Sequence, residues 1–74
     1  MRLGNAIRRC RFENNEMSQE DLAYAVGVTR QTIHSIEKGK FIPSTLLAFK
    51  IAGFFKKKVD EIFFIVDSKE GQVK

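Results

Sequence analysis

Two helix brackets set almost back to back constrain this chain more than any other feature. Ser18 stands where an N-cap belongs, and Glu20 and Asp21 follow where the helix dipole favours acids. Leu22, Ala23 and Val26 then share one face. Gly27 supplies a residue that tolerates the left-handed conformation, so the helix can stop there and the chain can turn sharply. Thr29 can cap again at once, ahead of Ile33 and Ile36, and Gly39 closes the second bracket. Two short helices joined through Gly27-Val28-Thr29 are predicted to form a tight, near-perpendicular pair. Small Ala23 admits the close crossing, and Val28, Ile33 and Ile36 bury against Leu22 and Val26.

The second of these helices has two chemically distinct sides. At about 100° per residue, turning Ile33 and Ile36 inward sends Gln31, His34, Ser35 and Lys38 outward. That outer side carries no carboxylate. Arg30 projects at its edge, with Thr29 and Thr32 at the same end of the helix. Arg, Gln and His there can all hydrogen-bond base edges in a major groove. The same wheel sends Glu37 inward beside Ile33, where an unpaired carboxylate is costly and needs a cationic partner. Arg11, on the core-facing side of the first helix, is the candidate.

The flanking segments complete a small body. From Asn5, the positions Ile7, Cys10 and Phe12 are spaced for a helix with Arg8, Arg9 and Glu13 on its polar side and Asn14-Asn15 as its stop. After Pro43, Ser44 caps a helix whose Leu47, Ala48, Ile51, Ala52 and Phe55 keep helical spacing. Lys56 to Lys58 interrupt it and read as a solvated charge run. Val59 to Ile62 fits one helical turn, and Phe63 to Val66 is a β-rich run that reads as a strand. The predicted fold is all-α, a compact body of four to five helices over residues 1–66, with the chain ends able to form a small β-hairpin. Residues 67–74 lack periodicity and are expected to be a flexible tail.

Composition removes most other classes. Seventy-four residues suffice for one modest core but not for a deep catalytic cleft. Residues 28–58 carry Arg30 and six Lys against Glu37 alone, whereas residues 1–27 balance four Arg against four acids. Cys10 is the sole cysteine, so no internal disulfide can form, and a small core hydrophobe is its simplest role. No apolar run approaches the roughly 20 residues of a membrane span, and no signal peptide is visible, so a cytoplasmic location is expected. His34, the only histidine, has no companion ligands for a metal and no paired nucleophile for catalysis. Neither an enzyme nor a cofactor nor a small-molecule substrate is expected.

The stretch Ser18-Gln-Glu-Asp-Leu-Ala through Gly27-Val-Thr-Arg-Gln-Thr-Ile-His-Ser-Ile-Glu-Lys-Gly-Lys closely resembles the Cro and phage-repressor (xenobiotic-response-element) family of helix-turn-helix regulators. The likeness continues through Pro43-Ser44 and Val59-Asp-Glu-Ile-Phe, covering about Ala6 to Phe63. It implies a motif over residues 19–38 in which Gln19 clamps a phosphate, Arg30, Gln31 and His34 read bases, and Lys38 and Lys40 hold the DNA backbone. It also implies a buried pair like Arg11 and Glu37. Relatives of this type pair into two-fold dimers on palindromic operators. The seven phenylalanines exceed what so small a domain can hide, so a homodimer through Phe63, Phe64, Ile65 and Val66 is expected, with the Met1 to Leu3 segment contributing. The expected function is that of a transcriptional repressor binding double-stranded DNA. The competing reading is an antitoxin or protein-interaction module in which DNA binding is secondary.

Overall fold

A computed structural model describes residues 2–66; Met1 and the expected tail at 67–74 lie outside the described residues. The elements run β1 (Arg2–Asn5), α1 (Ile7–Glu13), α2 (Gln19–Val26), α3 (Arg30–Glu37), α4 (Thr45–Phe54), α5 (Val59–Ile62) and β2 (Phe63–Val66). Side-chain caps mark most helix starts. Ser18 Oγ accepts from the Asp21 amide at 2.9 Å while Asp21 accepts back from the Ser18 amide, a closed capping box on α2. Thr29 Oγ1 accepts from the Thr32 amide at 3.2 Å, and Ser44 Oγ from the Leu47 amide at 3.1 Å. Gly27 takes φ +80° after α2 and Gly39 φ +77° after α3, so both turns use backbone that a β-carbon makes costly.

β1 and β2 pair antiparallel, with Arg2 opposite Val66 and Asn5 opposite Phe63. The Ala6 amide donates to the Ile62 carbonyl at 2.8 Å at the foot of this ladder. The expected body of four to five helices and the small hairpin of the chain ends are both present, so the all-α label fits only roughly. The physical reason is that an isolated β-rich run leaves its backbone groups unpaired, and the N-terminal segment supplies the missing partner. The core draws on every helix: Ile7, Leu22, Ile33, Ile36, Ile51 and Ile62 are the largest fully buried side chains. Each contributes about 1.5–3 kcal/mol by leaving water.

Two expectations about aromatic residues change. Phe12 is 67% exposed, so the inner side of α1 consists of Ile7, Cys10 and the stem of Arg11. Phe63 is buried in the core, because strand alternation turns it inward and Phe64 outward. Cys10 is buried as well, and desolvation pushes its thiol above the ordinary range, which keeps it an uncharged hydrophobe.

One polar cluster crosses this apolar body. Arg11 Nε donates to Glu37 Oε2 at 2.6 Å and Nη2 to Oε1 at 3.0 Å, while Nη1 donates to the Met17 carbonyl at 2.8 Å. Asn5 ties the sheet to the same helix end, its Nδ2 donating to the Ile36 carbonyl at 2.9 Å and its Oδ1 accepting from the Ile7 amide.

Replacing Glu37 by Ala strands the Arg11 guanidinium. We expect a loss of about 3 kcal/mol, the low end for breaking a buried pair, because Arg11 keeps its bond to Met17 and some solvent. An unchanged urea midpoint would show that the pair does not support folding. A β-carbon on Gly4 would stand 2.6 Å from Val66 Cγ2 and 2.7 Å from Phe64 Cε1. Gly4→Ala should accordingly cost about 1–3 kcal/mol, read as a lowered melting temperature. A wild-type melting temperature would mean that the sheet yields freely at that point.

Candidate nucleic-acid interface

The angle between α2 and α3 is set by packing rather than by the connecting turn. Ile33 and Ile36 are sealed against Leu22, Ala23 and Val26, with Val28 half-buried beside them. Since α3 is anchored along one side, its other side is fixed in space. Arg30, Gln31 and Lys38 are exposed there, and Lys40 is exposed in the turn beyond Gly39. Thr32, His34 and Ser35 are half-buried at the margins of the same surface. Thr29 is exposed but occupied as a cap, and its Oγ1 lies 3.0 Å from Thr32 Oγ1, so these two hydroxyls serve each other first.

Gln19 has a different setting from the one the sequence implied. Its Nε2 donates to Glu37 Oε1 at 3.1 Å and faces His34 Nδ1 at 3.5 Å. The side chain therefore bridges the inward carboxylate and the histidine ring. What Gln19 leaves open is its backbone amide in the first turn of α2, a position no helical carbonyl can reach. With Nδ1 facing an amide donor, the tautomer that fits places the His34 proton on Nε2.

A shallow depression runs beside α3, lined by Arg8, Arg11, Arg30, Lys38 and Glu37 together with Asn5, Gln19 and His34. Four cations meet one carboxylate there, and that carboxylate already accepts from Arg11 and Gln19. Arg8 and Asn5 were not anticipated at this surface. Arg8 could have been found, since it precedes Arg11 by three residues and so lies one turn along the same side of α1. Asn5 gives no local signal, because its place depends on the sheet. Of the expected dimer residues, Phe64 and Ile65 are 44% and 62% exposed and Val66 is half-buried, while Phe63 belongs to the core. Among the described residues, no group of three His, Cys, Asp or Glu side chains could hold a metal, and no helix is long and apolar enough to cross a membrane.

The family model described as helix-turn-helix matches residues 7–62, from the first residue of α1 to the last of α5. An uncharacterized HTH-type transcriptional regulator of Methanocaldococcus jannaschii is 54% identical over 65 residues, which cover 88% of this chain and 97% of the relative. One from Bacillus subtilis is 52% identical over 48 residues, covering 65% of this chain and 73% of its own. One from Archaeoglobus fulgidus is 54% identical over 54 residues, covering 73% and 75%. The match spans the helices that carry the α2–α3 geometry and the Arg11–Glu37 pair, and the chain belongs to the helix-turn-helix family of the Cro and phage-repressor type.

Proposed function

We propose that the protein is a sequence-specific DNA-binding transcriptional regulator that docks α3 in the major groove and acts as a homodimer on a palindromic operator. One observation carries this reading: α3 exposes Arg30, Gln31 and Lys38 with no acid beside them, while its only carboxylate, Glu37, is 8% exposed and bridged. The names given to the relatives support regulation of transcription. Arg30, Gln31 and His34 supply base-edge donors, the last through Nε2–H, and Ser35 lies within the same surface. Lys38, Lys40 and the Gln19 backbone amide face phosphates. Repression asks for no more than occupancy of the operator, which a domain of this size can provide in the cytoplasm, where the DNA is.

Exposed Phe64 and Ile65 support pairing of two copies through β2. Two copies would set recognition helices about 34 Å apart on successive major-groove faces. A second reading, an antitoxin or adaptor, is favoured by a separate observation: Ile42, Leu46 and Phe49 are 71%, 66% and 61% exposed around the start of α4. Co-purification of a stoichiometric partner protein would support it.

Selection of duplexes from a random pool tests the main reading. The expected result is a palindrome with half-sites about one helical turn apart, and absence of any enriched duplex would overturn it. On the selected duplex, Gln31→Ala should lose about 1–3 kcal/mol of discrimination at one base position. Lys40→Ala should instead weaken all duplexes alike and flatten the salt dependence by about one unit. The reverse pattern would exchange the two roles.

A further inference from the structure

Cations from outside the α2–α3 pair stand at the rim of the groove-facing surface. Arg8, exposed on α1, shares one depression with Arg30, His34 and Lys38. Arg2, exposed on β1, shares a second with Lys38 and Gly39, and its Nη1 lies 4.0 Å from where a Gly39 β-carbon would stand. The two depressions meet at Asn5, Glu37 and Lys38. Glu37 is the only carboxylate lining either, and the Arg11–Glu37 contact is the one ion pair among the described residues. Neither Arg2 nor Arg8 therefore has an acidic partner there.

The elements that carry both cations are also fixed relative to α3. Arg2 sits in the ladder opposite Val66, and its strand ends at Asn5, which donates to the Ile36 carbonyl. Arg8 rides on α1, one turn from Arg11, which grips Glu37 at the end of α3. The backbone positions of two arginines with no acidic partner among the described residues are thus held in register with α3 by short hydrogen bonds.

We propose that Arg2 and Arg8 contact phosphates of the duplex, so that β1 and α1 form part of the DNA interface beyond the α2–α3 motif. This rests on the reading of α3 as the groove helix. A duplex phosphate fits better than a free ion. The depressions are open, and exposed guanidinium groups hold a lone anion weakly, whereas a duplex presents a charge about every 1.7 Å and releases condensed counterions on binding. Such contacts position the protein without reading sequence. They would also place the terminal sheet, with Phe64 and Ile65, at the edge of the bound DNA.

The test is the binding of the full chain to a selected duplex and to a random duplex over a range of salt concentrations. Arg2→Gln and Arg8→Gln should each lower the slope of log K against log salt by about 0.9 per bound protomer. Each should weaken both duplexes by the same factor and leave the melting temperature and base preference unchanged. Arg9→Gln removes the same charge from a neighbouring exposed position that lines neither depression, and it should leave the slope at the wild-type value. Inorganic phosphate at matched ionic strength should not displace the duplex; displacement would point to a free-anion site and overturn the assignment. Wild-type slopes in Arg2→Gln and Arg8→Gln overturn it too, as does an Arg9→Gln slope equal to that of Arg8→Gln, which would mean that net charge alone is at work. A wild-type chain that binds no duplex would remove the DNA reading itself, and this inference with it.

Discussion

The clasp on Glu37 is the interaction on which the rest of the structure depends. A carboxylate on an eight-residue helix must go somewhere: outward it would repel a polyanion, and inward it costs several kcal/mol unless paired. Here it is turned inward and receives both prongs of Arg11 and the amide of Gln19. Exchanging such a pair for well-packed apolar groups is often neutral for stability, so the value of this one lies in direction. It joins α1, the Met17 turn, the start of α2 and the end of α3 through hydrogen bonds that tolerate little rotation. The apolar contacts of Ile33 and Ile36 hold α3 against the body, and the clasp limits its roll.

The sheet extends the same logic to the chain ends. Four residue pairs form the β1–β2 ladder, and alone they would be marginal in water. Phe63 supplies the missing stability by burying its ring in the helical core. Asn5 then passes the position of the sheet on to the carbonyl of Ile36, in the last turn of α3. That carbonyl already accepts from the Gly39 amide at 3.0 Å, and the Asn5 amide occupies its second lone pair, so the end of α3 is tied both to its own turn and to the sheet. The terminal strands therefore have a fixed relation to the outer side of α3, although nearly the whole sequence separates one from the other.

How much of this was legible in the sequence depended on whether the signal was local. Ser18, Gly27, Thr29, Gly39 and Ser44 announced the helix boundaries, because capping chemistry is settled within a few residues. The inward turn of Glu37 followed from angular spacing alone. Phe12 misled, since its spacing suits either flank of α1 and only the packing of neighbouring elements decides which flank is covered. Phe63 was placed with its exposed neighbours because a four-residue apolar run does not reveal which parity faces the core until its strand partner is known. Arg2 was missed beside the end of α3 for the same reason, since only the β1 ladder brings it there, whereas Arg8 lay within reach of the sequence, three residues before Arg11 on the same side of α1.

Gln19 shows how a residue recognised from its place in the sequence can have partners that the sequence does not announce. Its place at the start of α2 matched the family pattern, and that pattern implied a side-chain grip on phosphate. In the structure the side chain has Nε2 toward Glu37 and His34. An amide nitrogen has two protons, and two acceptors already stand before it. On the proposed docking, the phosphate at this helix start is therefore met by main-chain N–H, which no substitution at this position removes except proline. The side chain links the buried clasp to the His34 ring, so that the amide which hydrogen-bonds the inward carboxylate also faces Nδ1 of the histidine.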